Sequence, residues 1–442
     1  MPAIITNGFR TYNADNFIGS FSTNKMYLMI GKADAWSGAS LGQYTEGSPT
    51  DTAIPTPIDT TVAPFIHHND MIAAKLISTS DVSHVIKRTD WTSGIIYTEY
   101  HHLQDDQIDQ TFFVMTDQYN VYKCISNYGG AASTVKPTGQ STSISETSDN
   151  YRWKFMYEVQ QADVLKYVTT DWIPIKYLAL DDGNLQWDVQ QAAVDGSLEH
   201  IDVTAGGTGY VNTNTGTAQA GSTSTTINLA ATASATDDIY NSMTVYISSG
   251  TGSGQIKVIT DYVGSTKVAT VSAWTTTPDA TSVYEIMPAV TITTTEGSGA
   301  AARCSSVIGG IIKKVSMTAV GTLYRSGTAT ITGGGGTGAT LEPRIGPKGG
   351  HGKNAKTELG GAYVMINIRL VGTEGGDFTV GDDFRKVILI ANPNASGAAA
   401  TASTYTGAEM DDDSGEQIYI EYRAPINRAS DQTEDVKLVV EF

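Results

Sequence analysis

The sequence predicts a mainly β protein with a few short helices, built as a multidomain β-sandwich or sheet architecture with inserted small β modules. The chain has 442 residues, which is too many for one hydrophobic core. Only 17% of the residues are charged, whereas glycine, threonine and serine are abundant. This composition is typical of short strands joined by tight turns. Short apolar runs bounded by glycine or polar residues recur along the chain and supply the strand candidates.

Residues 1–195 mix strand and helix patterns. The apolar runs at residues 27–30 and 112–115 predict buried strands, and the alternation at residues 121–125 predicts a strand with one buried face. A helix is expected at residues 64–77, where proline stands early and apolar residues recur near one face. A second, short helix is expected at residues 162–167.

Residues 196–350 are rich in glycine and threonine and contain an internal repeat. Residues 201–210 align without gaps with residues 315–324, and the following apolar segments 289–292 and 328–331 also correspond. Each copy predicts a strand, a glycine turn ending in tyrosine, a second strand and another glycine-rich turn.

The first copy of the repeat is interrupted by residues 212–287, which have strand signals of their own. We expect a small nested β module there. Because an insertion inside a turn is well tolerated, its removal with a short glycine linker is expected to leave folding intact.

Residues 351–442 return to strand patterns. Strands are predicted at residues 363–370, 386–390, 417–422 and 437–442. An apolar strand left unpaired at a chain end promotes aggregation, so we expect the last one to lie in a sheet.

Charge and cysteine content restrict the function. The formal net charge of −18 repels nucleic-acid phosphates, and no basic patch offsets it. Cys124 and Cys304 lie far apart, outside any metal-ligand spacing, which indicates synthesis in a reducing cytoplasm. The sequence shows neither a signal-peptide pattern nor a membrane-length apolar run, so a soluble protein is expected.

Several segments resemble sites only superficially. The glycine-rich residues 333–338 precede no helix pattern, and Gly352-Lys353 lacks the following Ser or Thr of a phosphate loop. Both are interpreted as turn glycines. The acidic residues 411–416 do not match a calcium loop and indicate an acidic turn.

Two histidine pairs, His67-His68 and His101-His102, are the remaining metal candidates. Adjacent histidines point in different directions, so one pair cannot readily chelate. A site could form only if residues 100–109 make a loop that brings in Asp105, Asp106 and Asp109. No nucleophile motif appears, and we expect no catalytic, cofactor-binding or metal residue. Carboxylate pairs that cleave polysaccharide remain open, because any two of the 46 acidic residues could meet in space.

Seven blocks, in the same order along the chain, resemble the baseplate wedge protein of T4-like contractile-tailed phages. They are residues 16–20, 27–31 with Trp36, 85–91, 122–125, 151–158, 384–393 and 414–442. Residues 196–350 have no counterpart in that family. The resemblance therefore divides the chain into a wedge-protein core, residues 1–195 and 351–442, and an inserted β region, residues 196–350.

The resemblance implies a structural subunit of the virion tail baseplate, without enzymatic activity, cofactor or metal. It implies a homodimer that binds other wedge proteins and supports baseplate assembly and contraction, with no nucleic-acid or membrane partner. Within the resembling blocks, the interface candidates by composition are Trp36, Trp91, Tyr419, Tyr422 and Arg423; ordinary core packing is the alternative for each. Two other functions stay open: a β-rich tail enzyme that degrades polysaccharide, and a carbohydrate-binding module.

Overall fold

The structure is a computed structural model that describes residues 6–31, 71–104, 110–370, 378, 380, 383–394, 404–405, 414–433 and 435–442. The predicted fold class is confirmed: 45% of the described residues are in strands and 10% are in helices, in several antiparallel sheets. The chain forms two compact units. Unit 1 comprises residues 1–88, 159–176 and 359–442, and unit 2 comprises residues 89–158 and 177–358.

The described helices are α1 (Asn7–Ser20), α2 (Gln161–Tyr167), α3 (Leu185–Ala192) and α4 (Ala355–Glu358). The first twelve strands are β1 (Met26–Gly31), β2 (Met71–Leu76), β3 (Val82–Lys87), β4 (Phe113–Met115), β5 (Asn120–Ser126), β6 (Ser145–Glu146), β7 (Arg152–Glu158), β8 (Trp172–Ile175), β9 (Leu198–Thr208), β10 (Asn214–Thr217), β11 (Thr226–Asn228) and β12 (Met243–Ser249). The remaining strands are β13 (Ile256–Val263), β14 (Val268–Val271), β15 (Val283–Thr293), β16 (Ser298–Ile308), β17 (Ile311–Thr322), β18 (Thr328–Thr332), β19 (Thr337–Ile345), β20 (Tyr363–Arg369), β21 (Asp383–Ala391), β22 (Thr404–Tyr405), β23 (Glu416–Asn427) and β24 (Asp435–Glu441).

Unit 1 is a β-sandwich. One sheet has the strand order β22-β2-β1-β21-β23 and the other the order β24-β20-β3-β8. A single core joins the facing sides of both sheets, with Leu28 and Leu389 from the first and Ile366 and Leu438 from the second. Both sheets combine strands from the beginning and the end of the chain, since β1 pairs with β21 and β3 pairs with β20.

The central strands of both sandwich sheets are buried on their outer faces as well. Tyr27 and Ile388 belong to a second cluster on the first sheet, and Val85 and Met365 pack with Tyr167 of α2 on the second. A strand that is buried on both faces requires apolar residues at consecutive positions. This explains why the sequence signals at residues 27–30, 363–370 and 386–390 are unbroken apolar runs, and those predicted strands are confirmed.

The predicted helix at residues 64–77 is wrong where it can be checked, because Met71–Leu76 forms β2; residues 64–70 lie outside the described residues. β2 pairs antiparallel with β1 from Tyr27↔Leu76 onward. A short apolar run fits helix and strand equally well by periodicity. Pairing with the buried strand β1 decides in favour of the strand.

The predicted helix at residues 162–167 is confirmed as α2, whereas α1 was not predicted. Thr6 caps the N-terminus of α1: its hydroxyl oxygen accepts a hydrogen bond from the backbone N–H of Phe9 at 3.3 Å. This is the usual N-cap arrangement. Only Thr11 and Ala14 of α1 are buried, so the helix lacks the broad apolar stripe on which the sequence interpretation depends.

The first sheet of unit 2 has the order β4-β5-β7-β6. β5 confirms the strand predicted at residues 121–125, but the predicted single buried face is wrong, because every residue from Asn120 to Ser126 is buried. Trp153 and Tyr122 share a core with Val189 of α3. Lys123 is also buried, and it forms an ion pair with Glu358.

The two repeat copies build one intertwined β structure. The second strands of the copies, β15 and β18, pair with each other. The last strand of each copy pairs with the first strand of the other copy: β16 with β17, and β19 with β9. Neither copy can therefore complete its sheet without the other. This satisfies the requirement that a single repeat unit cannot bury its own apolar face.

Reciprocal hydrogen bonds give the two copies an approximate two-fold relationship. The backbone N–H of Tyr210 donates to the carbonyl of Gly310 at 3.1 Å. The equivalent N–H of Tyr324 donates to the carbonyl of Gly196 at 3.0 Å. Gly196 and Gly310 occupy equivalent positions in the alignment, so each copy anchors the tyrosine turn of the other.

The repeated glycines allow the tyrosine rings to approach the backbone. A Cβ placed on Gly336 would lie 2.3 Å from Cγ of Tyr210, and one on the equivalent Gly297 would lie 2.8 Å from Cγ of Tyr324. Real side chains do not tolerate such distances. The same contact, a tyrosine ring packed against a glycine backbone, therefore occurs in both copies and explains the repeated glycine and tyrosine positions.

The glycine turns begin later than predicted. β9 continues to Thr208 and β17 to Thr322, so the chain turns at Gly209 and at the equivalent Leu323. Both residues have left-handed φ angles, +78° at Gly209 and +63° at Leu323. Glycine adopts this conformation without a steric penalty, whereas leucine does not.

The Leu323→Gly variant is expected to raise the free energy of unfolding by about 0.5–1 kcal/mol, because relief of the left-handed strain exceeds the added entropy of the unfolded chain. Little burial is lost, since Leu323 is 54% exposed. Urea denaturation monitored by circular dichroism measures the change. The control is Gly207→Ala, which places a Cβ 2.4 Å from the carbonyl oxygen of Thr337 and should destabilise. A less stable Leu323→Gly protein would contradict the proposed strain.

The insert has its own core and its predicted strands, which appear as β12, β13 and β14. Its buried residues include Val245, Ile259 and Trp274. β15 is shared: its first half pairs with β10 and β12 of the insert, and its second half pairs with β18 of the repeat. Met287 packs in the core of the repeat rather than in the insert. A deletion that ends at residue 287 would therefore remove a repeat core residue.

Deletion of residues 212–286, joining Val211 directly to Met287, is expected to leave a folded, soluble protein. The new connection would have three residues between tyrosine and the next strand, the same length as residues 325–327 in the second copy. Sizing chromatography and circular dichroism test this expectation, with the full-length chain as control. An aggregated product, or one without cooperative unfolding, would show that the insert is needed for the repeat to fold.

Candidate functional site: an edge strand and a buried charge network

Two of the five interface candidates, Trp36 and Trp91, do not lie on β23. Trp36 lies outside the described residues. Trp91, in unit 2, is half-buried against the core of the β4-β5-β7-β6 sheet. Its ring N–H donates to the hydroxyl of Ser133 at 3.1 Å, and its backbone N–H donates to the carbonyl of Met115 at 2.9 Å.

The other three candidates, Tyr419, Tyr422 and Arg423, lie together on β23. Tyr419 is half-buried against the sandwich core, and its hydroxyl donates to a carboxylate oxygen of Glu421 at 2.7 Å. This hydrogen bond, together with burial, raises the pKa of Tyr419 to about 12. Arg423 is exposed and its Nε lies 3.3 Å from the same carboxylate group.

Tyr422 is the most exposed large apolar side chain of this strand, with 59% of its surface accessible. The ammonium group of Lys386, a buried residue of β21, lies 5.5 Å from the centre of its ring. The cation is thus within cation–π distance of the Tyr422 ring, and most of the tyrosine side chain still faces solvent.

β23 is an edge strand: among the described strands it pairs only with β21. It also exposes Ile418, with 42% of its surface accessible, and Ile426, with 40%. Sequence reasoning did not select these two isoleucines. Their regular spacing around Tyr422 was a usable signal, but the sequence does not show that this strand lies at the edge of its sheet.

The edge of β23 is interrupted. Its register against β21 shifts between Leu389 and Ile390 and again between Phe384 and Lys386, and Pro425 supplies no backbone donor. Bulges and proline are the usual protection of an edge against uncontrolled strand addition. The apolar side chains, rather than the whole backbone edge, are therefore the groups available for a specific contact.

Unit 2 contains a buried network of charged residues that the sequence did not reveal. The ammonium group of Lys123, which is fully buried, lies 3.0 Å from a carboxylate oxygen of Glu358 and 4.1 Å from the ring centre of Tyr100. Burial lowers the pKa of Lys123, and the ion pair opposes this shift. Breaking a buried pair of this kind costs roughly 3–5 kcal/mol, because the remaining charge is left uncompensated.

The carboxylate of Glu358 also accepts backbone hydrogen bonds from Gly352 at 2.9 Å and Asn354 at 3.2 Å. The Gly352-Lys353 segment, considered above as a phosphate loop, thus directs its amide groups to an internal carboxylate. The turn-glycine interpretation agrees with the positive φ angle of Gly352. His351, next to this segment, is buried with its ring 4.7 Å from that of Tyr100.

A second ionic cluster surrounds the buried Arg344. Its guanidinium group lies 3.1 Å from carboxylate oxygens of both Glu99 and Asp202, and 3.0 Å from Glu342. Burial raises the pKa of Glu99, although Arg344 opposes the shift. One arginine thus joins β9, β19 and the loop that contains Glu99.

The metal candidates are only partly described. His101 lies 3.2 Å from Glu342, and its ring stacks on that of His102. Within the described ranges, no group of three or more His, Cys, Asp or Glu residues is arranged to hold a metal ion. His67, His68, Asp105, Asp106, Asp109 and residues 411–413 lie outside those ranges.

The comparison with protein families identifies the C-terminal region. Residues 378–442 match the family model described as "Phage-Gp8: Bacteriophage T4, Gp8". This region is related to the T4-like baseplate wedge proteins. The match confirms the predicted resemblance for residues 378–442, which include β21, β23 and β24. Gp8 is a structural protein family of the bacteriophage tail baseplate.

No curated protein matches the chain. Among the helices that the structure describes, none is long and apolar enough to cross a membrane.

Two buried histidines predict a pH dependence of stability. Burial and nearby cations lower the pKa of His200 to about 3 and hold that of His351 well below its usual value. Both rings therefore stay neutral in the folded protein while they take up protons in the unfolded chain below about pH 6.5. Their stabilising effect is complete above that pH and is lost as the pH falls.

Between pH 7 and pH 5, His200 should account for a loss of about 2 kcal/mol in the free energy of unfolding, and His351 for a loss in the same direction. The single variants His200→Gln and His351→Gln should each lose less stability over this interval than the parent chain. Urea denaturation at a series of pH values measures the slopes. NMR of ring-labelled histidine gives an independent check, since protonation of either ring in the folded protein at pH 5 would exclude this explanation.

Proposed function

We propose that the chain is a non-catalytic structural subunit of the baseplate wedge in a contractile phage tail, where it forms a homodimer and binds other wedge proteins. The observation that carries the proposal is the family match over residues 378–442. The role in assembly and in switching on contraction is part of the proposal. Residues 196–350 are proposed to be an insertion into the wedge-protein core formed by residues 1–195 and 351–442.

The matched region also holds the surface best suited to a protein contact. Ile418, Tyr422 and Ile426 expose apolar surface along one edge strand, with Arg423 beside them. Aromatic and arginine side chains surrounded by smaller apolar groups are typical of the residues that dominate binding energy at interfaces. We assign the β23 edge to the homodimer, with a second copy of the chain as its occupant.

Analytical ultracentrifugation of the full chain and of the double variant Tyr422→Lys, Ile426→Lys tests this assignment. The parent chain should sediment as a dimer, and the variant should dissociate at least tenfold more readily, since it buries two charges in an apolar contact. The matched control is Leu165→Lys on α2, which replaces a side chain that is 75% exposed in the same unit.

The outcomes separate the parts of the proposal. A monomeric parent chain would remove the homodimer, and a dimer unaffected by the double variant would move the interface away from β23. Co-sedimentation with the products of neighbouring tail genes tests the wedge partnership. Turnover of a bacterial surface polysaccharide by the purified protein would overturn the non-catalytic role.

A further inference from the structure

Unit 2 contains a cleft of about 590 Å³ on the repeat structure. It lies where β9 and β17 run side by side, and it is closed by β6, the beginning of β7 and the loop after β5. No described strand ladder joins β9 to β17. The two strands nevertheless approach closely at Gly206, where a Cβ would lie 2.4 Å from the carbonyl oxygen of Ile312. The volume is within the range of small-molecule sites.

Arg152 lines this cleft as a half-buried cation, and no carboxylate among the described residues lies within ion-pair distance of it. Its guanidinium group donates to the carbonyl of Glu199 at 2.6 Å and contacts Nδ1 of His200 at 3.3 Å. Burial lowers the pKa of Arg152, and the carboxylates of Glu146 and Glu199, which lie beyond ion-pair distance, oppose this shift. Buried charges are ordinarily paired.

His200 provides a second unsatisfied group in the same place. Since arginine can only donate, Nδ1 of His200 must accept, and the proton of the neutral ring is then on Nε2. Nε2 is buried and has no hydrogen-bond partner in the described structure. The imidazole N–H of His200 thus lacks an acceptor among the described residues, and it lies beside a guanidinium group whose acceptor, the carbonyl of Glu199, carries no charge.

The carboxylates of the cleft do not supply this acceptor. Glu146 pairs with Lys314, and Asp202 pairs with Arg344 at 3.1 Å. Lys313, at the exposed rim, has no ion-pair partner within the part of the chain that the structure describes. The cleft therefore holds two cations, Arg152 and Lys313, in excess of its paired charges, on a chain whose net charge is −18.

We propose that this cleft binds a small ligand that carries a carboxylate or phosphate group on a polar body of about the size of a sugar. A guanidinium group can donate two parallel hydrogen bonds to a pair of oxygens of either anion. The half-exposed Tyr128 at the cleft offers an aromatic surface for the ligand body. The inference does not rest on the proposed wedge function, and either can fail alone.

Isothermal titration calorimetry with glucose, glucuronate and glucose 6-phosphate at constant ionic strength tests the proposal. The three probes share a sugar ring and differ in the anionic group. At least one charged probe should bind with a Kd of roughly 1 mM or tighter, and at least tenfold more tightly than glucose. The better of the two charged probes identifies the anion. Equal binding of glucose, or binding of neither anion, overturns the proposal.

Variants locate the binding. Lys313→Glu, at the exposed rim, should weaken the charged probe roughly fivefold, whereas the exposed control Lys348→Glu, outside the cleft, should leave the affinity unchanged. In the parent chain, the ring nitrogen NMR signals of His200 should shift when the probe binds. An unaffected Lys313→Glu affinity, or unshifted His200 signals, would place any anion elsewhere and refute the assignment.

Discussion

The antiparallel pairing of β1 with β21 is the contact on which unit 1 depends. It joins residues from the two ends of the chain, as in the pair Tyr27↔Ile390. The pairing of β3 with β20 repeats the arrangement in the opposite sheet. Each ladder holds strands from the beginning and the end of the chain in one sheet, and both sheets contribute to the core around Leu28, Ile366 and Leu389. The entropic cost of closing such a long loop rises only slowly with its length, so a large intervening segment is tolerated thermodynamically.

The same constraint affects folding. Pairings between residues far apart in sequence form slowly, because the loop must close before the contacts stabilise it. Unit 2 has more local connections, such as the pairing of β12 with β13 and of β16 with β17. The strand pairings of the repeat are nevertheless not all local, since β9 pairs with β19, which comes much later in the sequence. Each copy of the repeat therefore depends on its partner copy in the way that the subunits of an intertwined dimer depend on each other.

The sequence predicted the fold where the signal was local. The unbroken apolar runs of β1, β20 and β21 and the alignment of residues 201–210 with 315–324 required no knowledge of the partners. It failed where a distant residue decided the outcome. Residues 71–76 became a strand because β1 offered a ladder. Lys123 is fully buried because its charge is compensated by Glu358, which comes much later in the sequence. No periodicity in residues 121–125 could indicate that partner.

The residues of the β23 surface divide in the same way, into those that the sequence indicated and those that it did not. Tyr419, Tyr422 and Arg423 were found from composition and from the family resemblance, and the structure brings these three together on one strand. Ile418 and Ile426 were missed, because exposure depends on the position of β23 at the sheet edge.

The anion cleft could not be derived from the sequence at all. Arg152, His200 and Lys313 come from separate segments, and each is unremarkable in its own segment. Their significance lies in a local excess of positive charge inside an acidic chain. Such an excess is costly to maintain in a partly buried position. The compact charge networks around Arg344 and Glu358 show that this fold supplies carboxylates to buried cations elsewhere. Among the described residues, no carboxylate lies within ion-pair distance of Arg152, and this distinguishes the cleft from the structural ion pairs that surround it.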